Sequence, residues 1–322
     1  MTISERTYKV RQRAVELGFE AAGFSRVQQM EREARQLEEW LNKGLHGSMS
    51  WMENHFEKRT DPGKLVPGAK SVVSVICNYY NREEDQVQRE HPECPKIAKY
   101  AVGEDYHNVL KEKLYQLFEY TREINGGLEG RVFVDSAPVM DKAWAVRSGL
   151  GWLGKNTNIL RKGMGSWFFI GEMIVDADFD YDSPVADHCG SCTRCIDACP
   201  TDALYQPYQI DATRCISYLT IELRDAIPNY FRDKMDNWIF GCDICQDVCP
   251  WNRKAPDTNT TQFKPDRRVN GSSYDFWEEL NLDVYRELFR KSAVKRTKFD
   301  GLKRNITFIK PRNTNRDCVH EK

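Results

Sequence analysis

Long apolar runs are missing from this 322-residue chain, and no stretch approaches the roughly 20 residues that a membrane-spanning helix needs. The opening residues, Met1-Thr2-Ile3-Ser4-Glu5-Arg6, carry neither an apolar signal region nor a twin-arginine pair, so export is not expected. Neither sign of charge is in excess. Lys and Arg number 47 against 48 Asp and Glu, which excludes a polycation that coats nucleic acid along its whole length. The 40% hydrophobic and 30% charged content suits soluble globular domains, and the length allows two or three.

Cysteine, by contrast, is plentiful: the chain has 11. The run Cys189-x-x-Cys192-x-x-Cys195-x-x-x-Cys199-Pro200 has the spacing in which three thiolates hold one [4Fe–4S] cluster and the fourth, before proline, crosses to a second. A half-motif follows, Cys242-x-x-Cys245-x-x-x-Cys249-Pro250. Each cluster needs four thiolates, and the second run is one short. Cys215, in Arg214-Cys215-Ile216-Ser217, supplies the missing sulfur. The expected sets are Cys189, Cys192, Cys195 and Cys249 on one cluster, and Cys199, Cys215, Cys242 and Cys245 on the other. Zinc favours two separated C-x-x-C knuckles, and a disulfide framework suits a small secreted chain, so both fit less well. Cys77, Cys94 and Cys318 are surplus, and Cys77, in an apolar run, reads as a core thiol. Reduced cysteines and no export signal place the chain in the cytoplasm.

The pattern of the chain predicts three parts. Residues 1–180 read as a mixed α+β/α/β catalytic domain, with helices at 31–43 and 107–124, strands at 71–79, 131–135 and 166–175, and a helix at about 139–148. Residues 81–93 are polar and acidic and read as an exposed loop. A ferredoxin-type domain with two clusters spans 181–255, and its 210–240 stretch reads as helical. Residues 256–322 form a basic helical C-terminal segment whose end, 310–322, reads as disordered. From Arg286 to Arg312 ten Lys or Arg face two acids, Glu287 and Asp300. Such a block is either a solvated face or a phosphate-binding one.

Clusters define an electron path and not a reaction. The candidate reaction centre is Val134-Asp135-Ser136-Ala137-Pro138, where an acid ends a strand just before a turn. The same residue type also caps helices, and the sequence leaves both readings open. Next comes Gly149-Leu150-Gly151-Trp152-Leu153-Gly154-Lys155-Asn156, whose glycines let backbone approach a flat or bulky ligand closely. Its G-x-G-x-x-G spacing follows a helix and not a strand, so the dinucleotide context is absent.

Taken together, Asp135-Ser136-Ala137-Pro138, Gly151-Trp152-Leu153-Gly154-Lys155-Asn156, the eight-cysteine pattern and Cys215-Ile216-Ser217-Tyr218-Leu219-Thr220-Ile221-Glu222 resemble the epoxyqueuosine reductase family as far as about residue 305. The resemblance implies a nitroreductase-like domain holding base-off cobalamin, two [4Fe–4S] clusters, and reduction of epoxyqueuosine to queuosine at the wobble position of tRNA. In that scheme cob(I)alamin is fed by the clusters, with the Cys199, Cys215, Cys242 and Cys245 cluster nearer the corrin. Asp135 is then the general acid, desolvated and raised in pKa. Arg59, Tyr100, Asn156, Ser217 and the Cys242-Asp243 turn are the implied cobalamin contacts. Arg59 has an ordinary surface arginine as its alternative. His46 and His107 lie outside a D-x-H-x-x-G corrin context, so no histidine ligand to cobalt is expected. The implied partners are the anticodon loop of a queuosine-family tRNA and an unidentified low-potential electron donor, with the protein a monomer. Longer family members continue into HEAT-like repeats that this chain does not share. The alternatives are a cobalamin-dependent reductive dehalogenase, which typically uses a tyrosine acid and a twin-arginine signal, and a plain two-cluster electron carrier, which leaves 180 residues without a purpose.

Overall fold

The computed structural model describes residues 1–266, 268–269 and 271–310, so Cys318 and the expected disorder after Lys310 lie outside the described residues. The strands are β1 (Ala21–Arg26), β2 (Ser71–Asn78), β3 (Lys96–Ile97), β4 (Gly130–Phe133), β5 (Trp152–Leu153), β6 (Ile159–Leu160), β7 (Phe168–Val175) and β8 (Trp238–Phe240). The main sheet has the order β1-β2-β7-β4, and every pairing in it is antiparallel. The mixed α and β content matches expectation. The antiparallel pairing means that the rule for parallel sheets does not explain where Asp135 sits.

Helices cover both faces of this sheet, so all eight residues of β2 are buried. That is why its sequence reads as one apolar run without polar alternation. On one face the helices Ile3–Glu16 and Tyr106–Ile124 bring Val10, Ala14, Leu110, Leu114 and Leu117 onto Val73, Val75 and Met173. On the other, the helix Asp141–Arg147 presses Trp144 onto Val72 and Ile174. Helix Tyr106–Ile124 begins where Asp105 accepts from the His107 backbone N–H and ends at Asn125, followed by Gly126 at φ +70°. Cys77 is fully buried, and burial pushes its thiol up to about 11, as fits a core cysteine.

A second core joins the cluster segment to the C-terminal segment. Ile216, Leu219, Trp238 and Phe240 pack with Trp277, Leu302 and Ile306. Asn305 fastens them, with Nδ2 donating to the carbonyls of Thr220 and Ile239 at 2.8 Å each.

Two expectations fail. Residues 82–90 form a helix, Arg82–Glu90, and not a loop. Asn81 caps it, and Glu83, Glu84 and Asp85 suit the positive end of its dipole. The stretch 210–240 is not one helix. It holds the α-helix Ile216–Ile221, two 3-10 turns and β8, because Cys215 and Cys242 must return to the same place.

Candidate active site

Asp135 follows β4 on a γ-turn. Its φ is +54°, in the left-handed region, and the turn closes with the Ser136 N–H donating to the Val134 carbonyl at 2.5 Å. The nearest helix starts at Asp141 with Met140 at its cap, so Asp135 is no N-cap. The turn aims the carboxylate at a junction of three cavities of about 1050, 270 and 660 Å³, all of which it lines. Its side chain is 55% accessible.

The environment of Asp135 corrects one expectation. Burial pushes its pKa up, but hydrogen bonds from His107 and Tyr106 outweigh this and hold it below the ordinary carboxylate value. Tyr106 Oη donates to Oδ2 at 2.5 Å, and His107 Nε2 lies 3.3 Å from the same oxygen. Asp141, by contrast, borders two of the cavities and is raised by burial and by the charge of Asp135. Behind them Glu172, central in β7, is fully buried with no partner for either oxygen, and burial raises it well above its usual range.

The other site residues divide into two groups. Arg59, Tyr100 and Ser217 line the cavities. Arg59 is 8% exposed, donates from Nη2 to the Trp51 carbonyl at 3.2 Å, and leaves Nε without a partner. This guanidinium is buried, with Asp141 and Asp135 as its counter-charges, and is not an ordinary surface arginine. Tyr100 packs on Tyr106 and Phe240, and burial raises its hydroxyl pKa far above 10.

Asn156 and Asp243 instead hold the structure together. Asn156 is buried and donates to the Cys245 carbonyl at 3.3 Å, while Lys155 Nζ donates to the carbonyls of Gly190 and Cys192. Asp243 accepts from the Lys99 backbone N–H at 2.8 Å and sits 3.7 Å from Lys99 Nζ. The glycines also act differently from expectation. A Cβ on Gly151 would lie 2.2 Å from the Leu160 carbonyl oxygen, so the close approach is within the β5–β6 hairpin and not to a ligand.

The eight cysteines lie in one region, and their sulfurs act on one another electrostatically. Burial, then the Cys249 and Cys189 sulfurs, push the Cys195 thiol up to about 11. Burial, then Cys215 and Cys245, push Cys242 well above its normal value, and Cys245 is raised by burial, then Cys215, Asp243, Cys195 and Cys199, so the two expected sets lie close enough to feel each other. Two groups of thiols that each oppose ionisation suit a strongly cationic guest. Tetrahedral zinc, with Zn–S near 2.3 Å, would hold its sulfurs about 4 Å apart. Among the described residues no three cysteine sulfurs lie within 4.8 Å of one another, a spacing wider than a zinc tetrahedron and suited to a larger cluster. Cys215 also lines the third cavity, beside Ser217 and opposite Asp135.

Two histidines singled out in the sequence are committed elsewhere. His46 Nε2 pairs with Glu53 at 3.0 Å, and both His107 nitrogens face carboxylates. Tyr106, Asp105 and Asp141 were missed. Only the i,i+2 pattern of Asp105 and His107 at a helix start could have flagged the first two.

The comparisons with known proteins agree with this geometry. Residues 59–136 match the family model described as "Epoxyqueuosine reductase QueG, DUF1730", and 188–252 match a 4Fe-4S double cluster binding domain. The epoxyqueuosine reductase of Leadbetterella byssophila is 54% identical over 297 residues, covering 92% of this chain and 96% of the relative. That of Escherichia coli is 41% identical, covering 92% and 78%. A crystal structure of epoxyqueuosine reductase with an epoxyqueuosine-modified tRNA-Tyr stem loop superposes with TM-score 0.86 at 29% identity, covering 96% of this chain and 81% of that one. The reductive dehalogenase NpRdhA shares the fold only, at TM-score 0.50 and 13% identity, over 80% of this chain and 33% of that one.

Proposed function

The chain belongs to the epoxyqueuosine reductase family, and from that premise we propose that Asp135 protonates the departing epoxide oxygen of epoxyqueuosine in tRNA while electrons arrive through Cys215. The protein is an oxidoreductase, and residues 188–252 are its double [4Fe–4S] domain. One observation carries the reading: a proton donor, Asp135, and an inner-cluster ligand, Cys215, line the same cavity.

The cavities suit cobalamin. They share Asp135, they are walled by Trp40, Trp51, Leu37 and Met140, and the unpartnered Nε of Arg59 offers a donor to a side-chain amide or phosphate. When bound, cobalamin supplies a cobalt centre that can hand electrons to the epoxide carbon. With His46 and His107 both paired to acids, a base-off cofactor without a histidine ligand fits. Arg59, Tyr100 and Ser217 hold the macrocycle, and Cys242 supports it as an inner-cluster ligand. Asn156 and Asp243 act one step back, by fixing the Cys245 loop and the loop that carries Lys99.

Arg296 lines the cavity while pairing with Glu222, and Arg290, Lys295 and Lys298 of the same segment are exposed. These are the groups that fit a tRNA backbone. Lys303 and Arg304 are spent on backbone carbonyls, so the useful part of the basic block is smaller than its count. The electron donor is a low-potential one-electron carrier. One chain supplies the acid, the cavities and both cysteine sets, so a monomer suffices. The reaction belongs in the cytoplasm, where thiolates stay reduced.

The test is incubation of anaerobically purified protein with epoxyqueuosine-containing tRNA, cobalamin and a low-potential reductant. Mass spectrometry should show the nucleoside losing one oxygen. Asp135→Asn should keep cluster and cobalamin spectra and lose turnover by on the order of 10²–10⁴. Full activity in that variant would refute the assignment.

A further inference from the structure

Opening an epoxide to an alkene consumes two electrons and two protons and releases water. Both protons go to one oxygen, yet Asp135 holds at most one, and its neighbours keep it ionised at rest. The second store lies beside it. His107 Nδ1 is 2.7 Å from Asp105 Oδ1, and Nε2 is 3.3 Å from Asp135 Oδ2. Asp105 is itself fixed, because it accepts from the His107 backbone N–H as the helix cap. The Tyr106 ring, 4.1 Å from the His107 ring and 4.2 Å from Phe169, holds the imidazole between the two acids. The His107 side chain is 34% exposed and lines the same cavity as Asp135, so water in that cavity can exchange protons with it.

We propose that His107, clamped between Asp105 and Asp135, is a positioning residue that recharges Asp135 with the protons of the reduction. This rests on the reading of Asp135 as the acid. Burial lowers the His107 pKa, but the two carboxylates overcome it and raise it to about 9. The resting pair is therefore imidazolium and carboxylate. Lys142 faces Asp135 and Lys295 faces Asp105 from other elements, and Asp141 adds negative charge near Asp135 and Tyr106.

Substrate entry desolvates Asp135, which favours moving the Nε2 proton onto it. Asp135 then protonates the epoxide oxygen as the first C–O bond breaks, the electrons coming from the reduced cofactor that the external low-potential donor recharges through the clusters. His107 takes a proton from solvent and passes it through Asp135 to the resulting hydroxyl. The second C–O bond breaks, water leaves and the double bond forms. Epoxide, two electrons and two protons balance against alkene and water.

The experiment uses full-length protein loaded with clusters and cobalamin, as wild type, His107→Gln and Asp105→Asn. The kcat/KM of wild type should stay level through neutrality and fall above pH about 9. His107→Gln should bring that fall down by two pH units or more, to roughly the carboxylate side of neutrality. Cobalamin uptake and cluster spectra should be unchanged, which separates the role from folding. Independently of turnover, modification of His107 by diethyl pyrocarbonate, read by peptide mass spectrometry, should rise with a midpoint near pH 9 in wild type and lower in Asp105→Asn. A midpoint near the ordinary histidine value of about 6.5 would overturn the relay. So would an active wild type whose His107→Gln variant keeps the same pH profile. A wild type inert toward epoxyqueuosine would overturn the proposed function, and the relay with it.

Discussion

Replacing Lys99 by Met should loosen the joint between the catalytic and cluster domains. Lys99 is buried, with its side chain 2% exposed, and its Nζ sits 2.8 Å from Asp247, 3.2 Å from Asp85 and 3.7 Å from Asp243. The ring of Trp167 lies 4.9 Å away. Methionine fills similar volume but removes the one charge on which all three carboxylates converge; Arg89 remains, paired with Asp85 and felt by Asp247. Breaking a buried ion pair from one side costs about 3–5 kcal/mol. That is a large part of a typical total of about 5–15 kcal/mol. At about 2 °C per kcal/mol for a chain of this size, the melting midpoint should fall by roughly 6–10 °C.

The pH dependence gives this prediction a sign. Burial already holds Asp243 up at about 6 with Lys99 beside it, so losing the cation raises it further. A carboxyl raised in the folded state costs stability above its folded pKa and is relieved as pH falls through it. The deficit of Lys99→Met should therefore be largest at pH about 8 and shrink toward pH about 5. The assay is anaerobic thermal unfolding of cluster-loaded protein, followed by visible absorbance. A loss below about 1 kcal/mol, or a deficit that does not change over that range, would refute the reasoning.

Three further outcomes are expected. Cys215→Ser should halve the iron content and abolish turnover while one cluster signal survives in electron paramagnetic resonance. Retention of both signals would assign the inner set wrongly. Arg59→Met should weaken cobalamin retention by on the order of tenfold or more, the loss expected for a charged hydrogen bond, as measured by equilibrium dialysis. Binding of substrate tRNA should fall linearly in log–log fashion with salt, and Lys295→Gln with Lys298→Gln should flatten the slope by roughly one per lysine removed. An unchanged slope would move the tRNA contacts elsewhere.

Local rules made much of this protein legible. The cysteine spacing announces the double-cluster domain because four thiolates per cluster is a counting constraint, and residues 188–252 match such a domain. The buried strand Ser71–Asn78 and the helix ending at Asn125 were equally clear, since apolar runs and glycine stops act within a few residues. The helix Arg82–Glu90 looks like a loop in sequence because its acidic composition outweighs the signal of its Asn81 cap. The role of the glycine stretch was misplaced, because only the β5–β6 pairing shows what Gly151 touches.

By itself, then, the sequence determined the candidates: eight cysteines at cluster spacing, one acid at a turn, and the motifs that tie them to a family. Tertiary structure alone decided the protonation state of that acid. Asp135 was expected to be raised by burial, and it is lowered because the helix that begins at Tyr106 brings His107 and Tyr106 onto it from 28 and 29 residues away. Electrostatic energy depends on distance and dielectric, and neither is written in the spacing of a chain.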